Sequence, residues 1–309
     1  MEVRNQKYLE NKVESFKDEL EKFISKSLKE DFSNFSDITR EMVENSVMSS
    51  GKRIRPLLFS LISLSLGIPR KTVMYVSYGI ELSHAFTLVH DDIIDRPSQR
   101  RGNPPIFKIA GEEIALLIGD LLLSKSIIPL SQFPRASKFF LEKMCDVIEG
   151  QIIDVLWSKG KFNSYSQSEK EKIIVEIQSK KTSSLFRISS VLPAIIFEES
   201  NKLKSEKMRK NVSLLRKNLD MFGYHFGLAF QTIDDIKDVE EDKKMNSPNI
   251  LLTLGKEKTY KLLRSNVSRA ERYLSACEET ILALSKKGFK YIELLKYLVK
   301  EIIGYEKII

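Results

Sequence analysis

The chain has 309 residues, 42% apolar and 30% charged, with a formal net charge of +8 and two cysteines, Cys145 and Cys277. Two cysteines outside any CxxC pair exclude a disulfide framework and fit a reducing compartment. The apolar runs "LLFSLISLSLG" and "IALLIGDLLL" are shorter than the roughly 20 residues a membrane helix needs, and the charged N-terminus lacks a signal-peptide core, so a soluble, cytoplasmic protein is expected.

Excess base fits nucleic acid, an anionic membrane surface, small anionic substrates, or simply a solvated lysine-rich surface. No basic stripe interleaves with aromatics, so nucleic acid is not expected as a partner. In chain order, residues 7–30 place Tyr8, Leu9, Val13, Phe16, Leu20, Phe23, Ile24 and Leu28 at helical spacing opposite a charged face. Residues 72–96 are apolar on most sides, which predicts a buried helix that Pro97 ends. Helices are also predicted over 138–157, 168–191, 209–239 and 256–308, and the polar stretches 158–170 and 198–211 read as surface loops or polar helix ends. No segment alternates as a strand and no solenoid repeat occurs, so residues 1–309 are expected to form one all-α domain.

One short pattern does occur twice. Asp91-Asp92-x-x-Asp95 lies in "LVHDDIIDRPSQRRG" (88–102), and Asp234-Asp235-x-x-Asp238 lies in "FQTIDDIKDV" (230–239). Residues four apart share a helix face, so Asp91 projects with Asp95 and Asp234 with Asp238. Like charges so placed repel, and each pair costs helix stability unless a cation lies between them. Oxygen-only ligands imply a hard cation. Mg²⁺ takes one or two carboxylates and completes its shell with water and substrate phosphates, whereas a calcium loop needs alternate ligands and a central glycine that neither cluster has. An exposed acidic turn is the alternative for a single copy, and recurrence in two apolar settings argues against it.

Phosphate bound through metal leaves charge that needs cations. "SSGKRIRP" places Lys52 and Arg55 three apart where a helix can begin. Arg100 and Arg101 follow the first acidic motif, and their planar forks suit phosphate oxygens. His84 lies seven residues before Asp91, on the same face, so it joins this group; His90 and His225 are read as structural. "SKKTSSLF" contributes Lys181 and Thr182 as either a polar kink or a phosphate contact. Gln231 shares a face with Asp234 and Asp238. Gly223 and Gly227 extend that face and imply close helix packing or room for a ligand.

These pieces together resemble the trans-isoprenyl diphosphate synthases. The resemblance rests on "GKRIRP" (51–56), "LVHDDIID" (88–95), "RRGNP" (100–104), "GDLLL" (119–123), "EGQ..D" (149–154), "KTSSLF" (181–186), "FQTIDDIKDV" (230–239) and "GK" (255–256), and it covers roughly residues 40–260. It implies an all-α helical bundle around a deep central cavity, usually a homodimer. It also implies a Mg²⁺-dependent condensation of isopentenyl diphosphate with an allylic diphosphate. By position, Asp91, Asp95 and Asp234 would ligate magnesium, with Asp92, Asp235 and Asp238 acting close by or through water. Lys52, Arg55, His84 and Arg101 would hold isopentenyl diphosphate. Arg100, Lys181, Gln231 and Lys256 would hold the allylic diphosphate, with Thr182 near its reacting carbon. One departure is "KKMNSPN", where Ser247 stands in place of a common lysine and Lys243 or Lys244 is a candidate substitute.

In this family the product grows along the first aspartate helix. Phe86, about 7.5 Å along that helix from Asp91, would limit the product, while the small Thr87 and Ser83 leave depth. The combination resembles archaeal geranylgeranyl diphosphate synthases, so a C20 product is expected, with C15 or a longer chain as alternatives. A catalytically silent partner subunit on the same fold is the competing class.

Overall fold

A computed structural model describes residues 2–49, 51–100, 102–201, 205–285 and 288–304, with side chains described from residue 6 onward. Among these residues the elements are helices. The one extended feature is an isolated bridge between Arg100 and Asn103. They form two compact units. One comprises the chain up to Leu64 together with Ile68–Ser137; the other comprises Ser65–Gly67 and the chain from Lys138.

The first unit contains α1 (Glu2–Asp31), α2 (Asp37–Met48), α3 (Ile54–Ser65), α4 (Arg70–Asp95), α5 (Ile106–Ala110) and α6 (Glu112–Ser126). The apolar stripe of α1 buries Val13, Phe16, Leu20, Ile24 and Leu28. Ser36 starts α2 by accepting a hydrogen bond from the Thr39 amide at 3.2 Å. As its all-round apolarity predicts, α4 is buried from Val73 to Val89 on most sides and packs chiefly against α6. The contact is tight: a Cβ on Gly79 would sit 2.6 Å from the Ser126 carbonyl. At its end Arg96 takes a left-handed conformation (φ 53°), its amide closes on Asp92 O at 3.0 Å, and Pro97 bars continuation.

The second unit contains most of α7 (Pro134–Ser158), then α8 (Gln167–Ile177), a π-helical turn (Gln178–Ser183) and α9 (Ser184–Ser200). It continues with α10 (Glu206–Lys237), α11 (Val239–Met245), α12 (Ile250–Leu254), α13 (Lys256–Leu284) and α14 (Phe289–Ile303). Ser166 and Glu169 form a reciprocal capping box that starts α8. The unit is organised around α10, which packs on α9, the π turn, α12, α13 and α14. Its aromatic seam sets Phe186 edge-on to Phe226 at 4.9 Å and beside Phe230 at 5.1 Å.

Two predicted helices differ from what is observed. The expected single helix over 256–308 is two helices, with α13 ending at Leu284 and α14 starting at Phe289. Gly288 lies in the break, where a Cβ would meet the Ser65 carbonyl at 2.6 Å. The predicted 168–191 segment keeps its course but contains the π turn and runs on to Ser200. The polar stretch 198–211, read as surface loops or polar helix ends, carries two helix ends among its described residues: α9 reaches Ser200, and α10 starts at Glu206 with Ser205 as its cap.

Candidate functional site

The first acidic motif occupies the last turn of α4. Asp92 is buried, Asp91 half-buried and Asp95 exposed. Asp92 has a protein partner: Arg100 Nε donates to its Oδ1 at 2.7 Å, and Nη2 donates to the same oxygen. Arg100 is itself fixed by the backbone bridge to Asn103. The local salt bridge and the candidate metal ligands therefore coexist. The middle carboxylate ties the arginine loop to the helix, and the outer two share one face.

Lys52, just before α3, is exposed, and Arg55, in the first turn of α3, is half-buried. Arg55 Nη1 lies 3.4 Å from His84 Nε2. A guanidinium has only N–H groups, so in this contact Nε2 can only accept. Arg55 and His84, grouped by sequence, are thus brought together, with Lys52 exposed three residues before Arg55. Arg101 lies outside the described residues.

The second motif ends α10, and its three aspartates repeat the same pattern. Asp234 is half-buried, Asp235 buried and Asp238 exposed. Asp235 is the hub of a hydrogen-bond chain. Gln231 Nε2 donates to its Oδ1 at 2.8 Å; Gln178 Nε2, at 2.9 Å, and the Ile250 amide, at 2.8 Å, donate to its Oδ2. Thr182 Oγ1 in turn donates to Gln231 Oε1 at 2.7 Å. Burial pushes the Asp235 carboxyl up to about 7, and the donors pull it the other way. Asn249 holds the following loop by donating to the Asp235 carbonyl at 2.7 Å while its Oδ1 caps α12. Asp92 and Asp235, expected to act near the metal, are thus held by protein donors.

The π turn carries Lys181 and Thr182. Its widened backbone needs glycine on both sides. A Cβ on Gly227 would sit 2.5 Å from Ser183 Cα, and one on Gly150 would collide with the Lys181 amide. Gly223 likewise faces Ser190 and Arg187, so both α10 glycines serve close packing. Lys181 Nζ donates to Asp154 Oδ2 on α7 at 2.7 Å. Lys256 is exposed as the first residue of α13, after Gly255 turns the chain at φ 77°. Lys243 and Lys244 are exposed in the last turn of α11.

Along α4, Phe86 is buried and meets His90 edge-on at 4.7 Å. His90 in turn lies against Gly119 of the "GDLLL" segment, in the contact between α4 and α6. Ser83 is buried, with Oγ donating to the Ile80 carbonyl at 2.7 Å; Thr87 donates to the His84 carbonyl at 2.8 Å. His225 is a core residue that hydrogen-bonds Asn266 at 2.8 Å and stacks on Tyr273.

Both acidic motifs sit at helix C-termini, where the macrodipole is negative and carboxylates are least welcome. Two helix ends that each gather three aspartates are poised for cations. Among the described residues no three His, Cys, Asp or Glu side chains close into a metal cage. The all-oxygen i, i+4 pairs fit an ion that relies on a ligand's phosphates for the rest of its shell.

Comparison with known proteins decides the lineage: the polyprenyl synthetase family model matches residues 36–251. The chain belongs to the polyprenyl synthetase family. Geranylgeranyl diphosphate synthase of Sulfolobus acidocaldarius is 32% identical over 205 residues, covering 63% of this chain and 57% of that protein. The chain thus spans little more than half the length of such curated relatives. Geranylfarnesyl diphosphate synthase of Methanosarcina mazei is 27% identical over 84% of each chain. The crystal structure of a geranyltranstransferase from Thermotoga maritima superposes with a TM-score of 0.74 at 26% identity, covering 94% of this chain and 98% of that one. The match identifies the all-α isoprenoid synthase fold that the motifs implied.

Sequence reasoning passed over Arg53, Glu81, Gln178 and Asn249, and it quoted Asp154 without a role. Glu81 could have been noticed as a lone acid in the apolar run "GIELSHAF". Asn249 carries the signature of a helix cap after Pro248.

Proposed function

We propose that this chain is a Mg²⁺-dependent prenyltransferase that joins isopentenyl diphosphate to allylic diphosphates, with geranylgeranyl diphosphate (C20) as its product. The supporting observation is the twin arrangement at the ends of α4 and α10, a buried, protein-anchored middle aspartate flanked by outer aspartates four residues apart.

In this reading Asp91, Asp95 and Asp234 hold magnesium. When bound, the ion neutralises diphosphate charge and makes it a better leaving group. Lys52, Arg55, His84 and Arg101 hold the diphosphate of isopentenyl diphosphate. Arg100, Lys181, Gln231 and Lys256 hold that of the allylic substrate. The allylic C–O bond breaks and its electron pair leaves with the diphosphate. The isopentenyl double bond then forms the new C–C bond, and a proton passes to the released diphosphate. Thr182 gives its hydrogen to Gln231, so its oxygen lone pairs are what it offers a developing allylic cation. Holding both substrates side by side removes much of the entropic barrier.

The C20 assignment draws on Phe86 beside the small Thr87 and Ser83. The relatives carry names of different chain lengths, so C15 and longer products are the alternatives. The reading includes a homodimer, for which the exposed Ile114, Leu116 and Leu117 of α6 offer an apolar face. It also includes a single functional domain, since one family match runs through both compact units. A cytoplasmic location is part of it, supported by two cysteines without a disulfide. No helix among the described residues is long and apolar enough to cross a membrane.

The test is to incubate purified protein with Mg²⁺, isopentenyl diphosphate and C5, C10 or C15 allylic primers and to chromatograph the products. A C20 product is expected. A C15 or longer product refutes the length assignment, and no product with any primer favours a silent partner subunit.

A further inference from the structure

Between Lys52 and Arg55 lies Arg53, and its geometry is unusual. Its φ is 51°, in the left-handed region that L-residues seldom occupy without compensation. Its guanidinium is 2% exposed. Nε donates to Glu21 Oε1 of α1 at 3.2 Å, Nη1 donates to Glu81 Oε1 of α4, and Nη2 donates to the Ser49 carbonyl at 3.1 Å. Glu81 is as deeply buried, and its second carboxylate oxygen has no hydrogen-bond partner among the described residues. Within this cluster Arg53 is the cation on which the Glu81 charge depends, so removing Arg53 strands that charge in the core, whereas removing Glu81 leaves Arg53 held by Glu21 and the Ser49 carbonyl alone.

The consequence lies on either side of Arg53. The left-handed residue turns the chain just before α3, leaving Lys52 exposed and Arg55 against α4. Glu81 and His84 are three apart, hence on one turn of α4. Arg53–Glu81 and Arg55–His84 are therefore successive cross-links from one short segment to one helical turn. The first is buried, and the second, at 3.4 Å, is loose. The buried link sets the geometry of the loose one.

We infer that Arg53, acting through Glu81, is a positioning residue that fixes the reach of Lys52, Arg55 and His84 toward a diphosphate. The inference rests on the substrate assignment above. It explains why a strained backbone is kept at a residue whose own side chain never faces solvent. Lysine at this position keeps the charge but not the three-way fork.

The test compares wild type with Arg53→Lys and Glu81→Gln. Calorimetry with isopentenyl diphosphate alone reads binding without turnover, and steady-state assays read KM for each substrate. Both variants should weaken isopentenyl diphosphate on the order of tenfold or more in Kd and KM, since small misplacements of binding groups carry penalties of that size. The allylic KM should stay within about twofold, because that substrate is assigned to other side chains. Arg187→Lys, which disturbs the Arg187–Asp220 pair in the other unit, is the control. It should lower Tm and leave the isopentenyl diphosphate Kd unchanged. If Arg53→Lys does not fold, Glu81→Gln carries the same expectation. Variants that lose Tm but keep wild-type Kd overturn the inference and leave Arg53 a purely structural residue. Wild type that binds isopentenyl diphosphate without turnover refutes the prenyltransferase reading, and the Kd comparison still decides the role of Arg53. Wild type that does not bind it overturns both.

Discussion

Replacing Asp235 by asparagine should separate stability from catalysis. In the wild type one carboxylate oxygen receives Gln231 and the other receives Gln178 and the Ile250 amide. Asparagine keeps one acceptor. With its oxygen toward Gln178 and Ile250, its NH₂ faces Gln231, whose amide must rotate so that Oε1 accepts. Gln231 Nε2 then donates to Thr182, and the Thr182 hydrogen, given to Gln231 in the wild type, is turned elsewhere. The bond count is kept while the polarity of the chain reverses. Stability should therefore change by only about 1 kcal/mol at pH 5, in the range of one neutral hydrogen bond. Because burial raises the folded Asp235 carboxyl to about 7 from 3.8, its protonated form favours folding. That contribution is present below about pH 4 and is lost as pH rises through 7, amounting to roughly 4 kcal/mol at about 1.4 kcal/mol per unit. The variant does not titrate, so its Tm should equal or exceed that of the wild type at pH 8 and fall behind at pH 5. At pH 8, where the wild-type carboxyl is ionised, the activity should nevertheless drop on the order of 10²-fold, the size of one misdirected dipole at a developing charge. Thermal melts from pH 5 to 8, with diphosphate release as the rate assay, give both quantities. A folded Asp235→Asn protein with wild-type kcat would refute the idea that this chain orients Thr182.

Phe86→Ala should lengthen the product, read by chromatography of chain lengths, at a folding cost of about 3–5 kcal/mol for an aromatic lost from the core. An unchanged distribution removes Phe86 as the limit. Gly227→Ala forces a Cβ to 2.5 Å from Ser183 Cα, so the π turn must shift. A loss of about 1–3 kcal/mol in denaturant melts is expected, with a fall in kcat as Lys181 and Thr182 move. A chelator should abolish turnover, and added Mg²⁺ should restore it while Tm barely moves, because the outer aspartates need a substrate's phosphates to complete the ion's shell. A large Tm loss on chelation would indicate a structural ion instead.

The long helices and both acidic motifs were legible because each has its own period: apolar residues at 3.6, and carboxylates at four. The orientation of the middle aspartates was legible only in part. Asp92 was expected beside the metal, and that Arg100 returns to meet it depends on a loop closed by the bridge between Arg100 and Asn103. Arg53 gave no signal, because a left-handed residue is ordinarily foreshadowed by glycine or asparagine rather than arginine. The π turn was hidden because one extra residue hardly disturbs the apolar pattern on either side; Gly150 and Gly227 are its trace in the sequence. The break before α14 was missed because an amphipathic pattern resumes after Gly288, as though uninterrupted.

The inward turn of Asp92 and Asp235 divides each triplet into two kinds of position under selection. On the proposed function the outer aspartates answer to an ion and a ligand, so they would change only when the chemistry does. The inner ones answer to neighbours in the same chain. In a library selected for prenyltransferase activity, exchanges at 235 should arrive together with exchanges at 178, while 91, 95 and 234 stay fixed alone.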